Sequence, residues 1–524
     1  MSFWKKQQQM GLAALIMGCS VLLSRFAGLI RDKVISYYFG ATSESDIYFA
    51  AFVIPDFINY LLAGAYFSIT LIPLLAEAFK ENEEKGWHLF SAILTWTTTV
   101  AVVLTGVAMI CAPSLARLAA PGLGPRGWIR LTLFLRIVLP AQVCFLVGTC
   151  FTALLYLRKQ FLVPAIAPLI YNLLIITGGI LLKSRGMEGF CWGVLAGAFL
   201  GNLLLPYLAA SRKGYLPLRI TARDPDLKRF FRLALPLMLG QSIVVLDEQF
   251  IRVFGSFAGP GAISWLNYAR RIMLVPVGVV AQAAGVASYP FLAELIARRD
   301  LRRFYETLGI ALRNTLALMI PITIWMMVTA GPIITLVFQQ GRFACSDTAH
   351  TTRLLIILLG STCFWSCQQI IGRGFYALQD TLTPALLGTL TTIACIPFYY
   401  VGAHRMGAEG VALASAISIT LYAMVLGLRW HQRHGYLTFK SLFSDSSAAL
   451  IFSCLAAVPS LIICNFLRTL ELSLYPRALL CITASGLVFA IGFISIGLVI
   501  RPGMLKPFLK PALALVRKKL SNLP

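Results

Sequence analysis

Apolar residues run through this chain in stretches of about 20, broken by short polar loops. A stretch of that length forms a helix that can cross a hydrocarbon core about 30 Å thick. The short alternating segments of a membrane barrel are absent. Fourteen spans are predicted, at about residues 10–38, 47–79, 87–112, 131–157, 161–182, 188–210, 231–256, 262–292, 305–338, 351–378, 383–403, 408–430, 447–467 and 477–500. The pattern is that of an all-α polytopic membrane protein.

The pattern also repeats. Pro73-Leu74-Leu75-Ala76-Glu77 returns as Pro290-Phe291-Leu292-Ala293-Glu294. Gly148-x-x-Phe151-x-Ala153-Leu154 returns as Gly372-x-x-Phe375-x-Ala377-Leu378, and Gly186-Met187-Glu188-Gly189 as Gly407-Ala408-Glu409-Gly410. Each copy follows roughly 220 residues after the first, which predicts two six-span lobes. Six is even, so the lobes share an orientation, and a pseudo-two-fold axis along the membrane normal would relate them, as in transporters built from parallel repeats. The expected divisions are an N-lobe (1–210), a linker (211–232), a C-lobe (233–435), two extra spans (436–500) and a tail (501–524). A substrate path is expected between the lobes near mid-membrane.

Composition agrees: 58% of residues are hydrophobic, above the 45–50% usual for soluble chains. The net charge of +24 sits largely in loops and termini, where Lys and Arg set topology, so it does not point to nucleic acid. The basic residues concentrate in the termini and even-numbered loops, which places both termini in the cytoplasm. No cleavable leader is read in the first apolar segment, which carries internal charges. In the tail, Lys506, Lys510 and Arg517 accompany Leu505, Phe508, Leu509, Leu513 and Val516. That mixture fits an amphipathic helix on anionic phospholipids, and equally a cationic tail marking the cytoplasmic side. The twelve Cys fall mostly in apolar segments without a metal-type pair, and read as small hydrophobes. Nucleotide-loop, HExxH and GxSxG signatures are missing, so no enzyme and no cofactor is expected. Uphill transport would have to draw on a cation gradient, Na+ or H+, on the membrane potential, or on a downhill substrate gradient.

Candidate chemistry lies in charges that interrupt the spans, because a charge at the bilayer centre costs roughly 2.5–3.5 kcal/mol on insertion scales. The first span holds Arg25, Arg31, Asp32 and Lys33. At about 100° per residue, Arg25 and Arg31 do not share a face of a straight helix. A bend, for which Gly28 is a candidate, or a wide cavity would be needed to bring both to one ligand. Arg25 and Asp32 share a face but sit about 10 Å apart, too far for a direct pair. Arg270 and Arg271 are adjacent in the eighth span; Asp247, Glu248 and Arg252 lie in the seventh; Arg373 and Asp380 lie near the end of the tenth. Asp46, Asp56 and Arg136 are isolated charges. Forked, charge-assisted hydrogen bonds from such arginines would hold a phosphate-bearing ligand. That reading is preferred for Arg25, Arg31 and Arg271; internal ion pairing is the alternative, and snorkelling or pairing is preferred for Arg136. Asp247 and Asp380 are the candidate cation ligands, with Thr381, Thr391 or Thr392 adding oxygens; pairing with Arg252 or Arg373 is their alternative.

The run Ser24–Asp32, Phe39-Gly40-Ala41 with Asp46, and Pro73-Leu74-Leu75-Ala76-Glu77 resembles the MviN/MurJ lipid II flippases. These share a superfamily with multidrug and toxin extruders and polysaccharide flippases. The resemblance continues through Ser264-Trp265 with Tyr268, Arg271, Met273 and Pro276, then Phe338-Gln339-Gln340-Gly341-Arg342-Phe343. It includes Gly374-Phe375-Tyr376-Ala377-Leu378-Gln379-Asp380 with Thr383-Pro384, and covers about residues 10–435, beyond which the last two spans match only in number and position. It implies fourteen spans, a central cationic cavity, and carriage of undecaprenyl-pyrophosphate-linked peptidoglycan precursor from the inner to the outer leaflet of the bacterial inner membrane. It also implies that the cavity arginines are Arg25, Arg31 and Arg271, with Asp32 their acidic partner and Asp46 a further family aspartate. Some members bind sodium, and Asp247 and Asp380 fall at corresponding positions. Typical members have arginines where this chain has Asn59 and Tyr60, a glutamate at Gly64, an aspartate at Arg270 and an acidic residue at Leu274. Asn59 thus replaces one cavity arginine, while Arg270 offers a positive charge from the other lobe. The leading expectation is a monomeric flippase for lipid II. Its rivals are a flippase for another polyprenyl-linked glycan, a cation-coupled drug exporter, and a non-transporting scaffold for envelope assembly.

Overall fold

The computed structural model describes residues 10–63, 66–211, 218–221, 224–239, 243–435 and 439–503. The tail from Leu505 to Val516 and parts of the linker therefore lie outside the described residues. Every regular element among the described residues is helical, and the chain gathers into two compact units.

The first unit comprises Met1–Asn267, Gly341–Phe343 and Tyr399–Val411. It opens with α1 (Met10–Phe39), then α2 (Ser43–Ala50), α3 (Val53–Ala63) and α4 (Tyr66–Glu81). α5 (Glu83–Ile110) starts at Asn82, whose side chain accepts from the Glu84 N–H at 3.1 Å, with Glu83 and Glu84 favourably placed in the first turn. α6 (Ala112–Ala119), α7 (Gly124–Val138), α8 (Ala141–Leu157) and α9 (Leu162–Leu181) follow. α10 (Glu188–Gly197) runs through a π-helical stretch, Ala198–Leu204, into α11 (Leu205–Ser211). After the linker come α12 (Leu227–Leu239) and α13 (Ile243–Gly255). The core gathers Leu71, Leu75, Phe90, Phe151 and Leu154 with Leu227 and Phe230 of α12. Arg130 on α7 joins Glu44 of α2 at 2.8 Å and Glu188 of α10 at 3.4 Å.

α14 (Ala262–Pro276) begins in the first unit and continues in the second, which comprises Tyr268–Gln340, Ala344–Phe398 and Ala412–Pro524. A π-helical stretch, Val277–Gln282, follows Pro276 directly and leads into α15 (Ala283–Ala297). α16 (Leu301–Val328) is capped by Asp300, which accepts from the Arg303 N–H. α17 (Ala330–Phe338), α18 (Cys345–Leu359), α19 (Thr362–Ala377), α20 (Leu382–Ala394), α21 (Ile396–His434), α22 (Phe439–Thr469) and α23 (Leu474–Ile500) complete the chain. α21 is two helices joined at Gly407, whose φ of 60° and ψ of −136° are open to glycine at little cost.

Nine helices among the described residues are long and apolar enough to cross a membrane, ten if α18 and α19, bent by 43°, form one span. The expected lobe boundary is not the boundary of the compact units. α12, α13 and the first turn of α14 cluster with the first unit because Leu227 and Phe230 enter its core, Arg252 of α13 pairs with Asp56 of α3, and Asp46 caps α14.

The two helices that carry the repeated Gly-x-x-Phe-x-Ala-Leu motif end alike, in a register four residues off that of the motif. α8 ends with Lys159 at φ 56°, the Gln160 N–H on the Leu155 carbonyl and the Lys159 N–H on that of Tyr156. α19 ends identically, with Gln379 at φ 61°, Asp380 bonded to Phe375 and Gln379 to Tyr376. Both are Schellman closures, which satisfy the last orphan carbonyls of a helix. Gly186 and Gly407 both turn the chain at positive φ, at 71° and 60°.

Candidate functional site

In the first unit, Arg31 and Asp32 are adjacent on α1, and neighbours on a helix diverge by about 100°. The length of the arginine side chain overcomes this. Its Nε and Nη2 both donate to Asp32 Oδ1, at 3.1 and 2.9 Å. Nη1 donates to Asn172 Oδ1 on α9 at 3.2 Å, and Asn172 Nδ2 is anchored on the Pro168 carbonyl at 2.9 Å. The Asp32 side chain is fully buried, whereas Arg31 keeps 16% of its side chain exposed. The cluster is thus an enclosed carboxylate held by an arginine whose side chain is partly exposed and whose guanidinium has further N–H donors.

Gly28 faces this cluster without breaking the helix. α1 is uninterrupted, and a Cβ at Gly28 would stand 4.0 Å from Asn172 Oδ1. That is ordinary contact distance. Arg25 is exposed on α1, two turns before Asp32. Asn59 is half-buried on α3, one turn beyond Asp56.

Arg252, Asp56 and Asp46 of the first unit have structural partners. Arg252 pairs with Asp56 at 2.8 Å and Glu248 at 2.5 Å, so the pairing alternative holds for it. Asp46 accepts from the Gly261 and Ser264 N–H groups at 2.5 and 2.8 Å and from Ser264 Oγ at 2.6 Å. It closes the N-terminus of α14 by satisfying otherwise orphan donors.

In the second unit, Arg270 is 4% exposed and lies over the Trp365 ring of α19, 5.2 Å from its centroid. A cation over an aromatic face is attracted by the ring quadrupole. Arg271 is half-buried beside it. Arg373 lies over Tyr289 at 5.9 Å, and a Cβ at Gly285 would touch it at 3.6 Å. These arginines flank the π-helical stretch after Pro276, a local rewinding frequent at functional sites.

The two candidate cation ligands fall in different units. Asp247 is buried and accepts from the Tyr399 hydroxyl at 2.5 Å. Asp380 accepts from the Thr383 N–H at 2.9 Å, from Thr383 Oγ1 at 2.7 Å and from Arg433 at 2.6 Å. Burial alone would raise its pKa, but the Thr383 bonds and Arg433 outweigh that and hold the carboxyl below its ordinary value. Thr391 and Thr392 give their hydroxyls to the carbonyls of Leu387 and Gly388. Among the described residues, no group of three His, Cys, Asp or Glu is placed to hold a metal ion.

Sequence reasoning missed Asn172, Trp365, Tyr399 and Arg433. Asn172 carried a signal, a lone amide inside an apolar span; the other three gain meaning only from their tertiary partners.

A family model described as "Lipid II flippase MurJ" matches residues 35–482. Among curated relatives, the probable lipid II flippase MurJ of Haemophilus influenzae is 28% identical over 77% of this chain and 83% of its own. The lipid II flippase MurJ of Burkholderia cenocepacia is 29% identical over 79% and 82%. A solved structure of lipid II flippase MurJ in an inward closed conformation superposes with a TM-score of 0.75 at 23% identity, covering 94% of this chain and 100% of that one. An inward-facing multidrug resistance MATE transporter reaches 0.67 at 16% identity, over 82% and 99%. The match through residue 482 reaches into α23, beyond the 10–435 covered by the motifs.

Proposed function

The chain belongs to the lipid II flippase MurJ family and flips lipid II; from that premise we propose that Arg31, Arg25 and Arg271 take the pyrophosphate of the lipid during alternating access, carrying it from the inner to the outer leaflet. The observation that carries this reading is the Arg31–Asp32–Asn172 cluster, with its enclosed carboxylate and an arginine that has N–H donors beyond those the cluster uses. In the empty protein Asp32 neutralises Arg31, so no unpaired charge is held in a low-dielectric interior. An arriving pyrophosphate offers stronger, bidentate acceptors and draws on the same guanidinium. Asp32 regains its partner when the lipid leaves, which resets the site. Asn172 holds the arginine's position through the exchange. Arg270, braced on Trp365, supplies positive charge in the second unit where Asn59 withholds it in the first.

The proposed architecture is fourteen spans in two six-span lobes related by a pseudo-two-fold axis along the membrane normal, with two extra spans and both termini cytoplasmic. The matched turns at Gly186 and Gly407 support the duplication. The transport draws on no ATP hydrolysis. An inside-negative potential drives an anionic headgroup outward by about 2.3 kcal/mol per charge per 100 mV.

The test is replacement of Arg31 or Arg271 by Gln in cells depleted of their own flippase, with lipid II measured in each leaflet. Lipid II is expected to accumulate in the inner leaflet by more than any fall in the variants' membrane levels explains, those levels being measured alongside. Growth and outer-leaflet lipid II at the unsubstituted rate in both variants would overturn the assignment.

A further inference from the structure

α19 holds two places where an arginine lies over an aromatic ring. Near its start, Trp365 carries Arg270 of α14, 5.2 Å from the ring centroid. Eight residues further on, Arg373 lies over Tyr289 of α15 at 5.9 Å. α19 runs unbroken between them, so the two places stand about 12 Å apart along its axis. The Arg373 stem passes the α15 backbone at Gly285, where a Cβ would stand 3.6 Å from its Cγ and Nε.

The two arginines differ in what surrounds them. Arg270 is buried, whereas Arg373 is half-buried. Asp380, the nearest acidic residue along the chain, is taken by Thr383 and Arg433. Among the described residues, no carboxylate or acceptor oxygen meets the Arg373 guanidinium. The Tyr289 face attracts the cation but supplies no acceptor for its forked N–H groups. A cation kept within a membrane span without a counter-ion is costly, and such residues mark substrate paths. Resting on the flippase reading above, we propose that Arg373, supported by Tyr289, is a separate capture station for the pyrophosphate of lipid II, occupied before the headgroup reaches Arg271.

In the proposed orientation α19 runs toward the cytoplasmic side, where Asp380 follows its end and takes Arg433 from the end of α21. Arg373 is then the first of these arginines met by a headgroup entering from the inner leaflet, with Arg270 and Arg271 about two turns deeper. A pyrophosphate offers paired oxygens to the guanidinium fork, and both partners are charged. Tyr289 holds the empty arginine in place without a carboxylate. An arriving anion therefore has no acidic competitor to displace there, in contrast to Asp32 at Arg31. The two stations divide the work: Arg373 captures without competition, and Arg31 carries its own competitor for release.

The full-length protein in phosphatidylcholine nanodiscs is titrated with fluorescent lipid II, and melting temperatures are taken on the same preparations. Arg373→Gln is expected to weaken binding about tenfold. Arg373→Lys, a compact charge without a fork, should recover only part of the loss, and Tyr289→Leu should fall between Arg373→Gln and the unsubstituted protein. In the Arg31→Gln protein lipid II should still bind, and adding Arg373→Gln should weaken that binding further. Undecaprenyl pyrophosphate should displace lipid II, whereas phosphatidylglycerol, with a single phosphodiester, should not. Equal displacement by phosphatidylglycerol would mark a general phospholipid site and overturn the assignment. Unchanged lipid II affinity in folded Arg373→Gln would overturn the station itself, and if that variant fails to fold, full affinity in folded Arg373→Lys would do the same. Either result leaves the flippase reading standing, because Arg31→Gln and Arg271→Gln decide that separately in the leaflet assay.

Discussion

The Arg31–Asp32 pair makes a quantitative demand. Arg31→Gln leaves a fully buried carboxylate behind, and breaking a buried pair from one side costs about 3–5 kcal/mol. Asp32→Asn leaves the guanidinium, which keeps Asn172 and belongs to a side chain 16% exposed, so its cost should fall nearer the 1–3 kcal/mol of an unmet polar group. The double variant Arg31→Gln/Asp32→Asn removes both charges, and replacing a whole buried pair is often close to neutral. The double should therefore be more stable than Arg31→Gln alone, with a coupling energy of about 2 kcal/mol or more between the sites. Heating reports on large membrane proteins are often irreversible, so the comparison belongs at one scan rate in one lipid nanodisc preparation, with all four proteins run together. Transport separates the two roles of the arginine. The double variant should fold well and still fail to flip lipid II, because the cation is gone. Asp32→Asn should bind lipid II more tightly and release it more slowly, because the competing carboxylate is gone. Additive stability effects, with coupling below about 0.5 kcal/mol, would refute the enclosed pair. A well-folded double variant that flips lipid II normally would refute the anion-binding role.

Two further outcomes follow from the second unit. Trp365→Leu should cost about 1–2 kcal/mol through loss of the desolvated ring beneath Arg270, and Trp365→Phe should recover part of it; equal stability of all three proteins would remove the stacking from the account. His434, whose Nδ1 lies 3.0 Å from the Tyr305 hydroxyl, has its pKa lowered by burial first and by Arg433 second, with Asp380 opposing. The folded state therefore favours neutral histidine, so its contribution is present above the ordinary value of about 6.5 and is lost as pH falls below it. His434→Gln should flatten the decline in melting temperature between about pH 7 and pH 5, and an unchanged decline would exclude the histidine as its source.

The helices and the arginines were legible for one reason: the bilayer penalises charge and unsatisfied backbone so heavily that each exception stands out. The partners were not legible, because they depend on reach and tertiary placement. Arg31 takes its own neighbour, Asp32, although helix geometry points the two Cα–Cβ bonds apart; the arginine stem is long enough to turn the fork back. Asp380 reads in one dimension as a candidate cation ligand beside threonines. In the fold it follows the left-handed Gln379 and opens α20 by holding Thr383, with Arg433 arriving from the far end of α21. The end of α8 shows the same closure with Gln160 in the corresponding place, an equivalence visible only in the backbone hydrogen bonds. The lobe boundary shows the converse limit. Repeated motifs record how the chain was duplicated, whereas compactness records which apolar faces meet, and Phe230 with Leu227 meets the core of the first unit. α12 and α13 thus belong to one division by sequence and to the other by burial. A substitution at Phe230 should accordingly be read as a perturbation of the unit that also holds Arg31, despite its place after the linker.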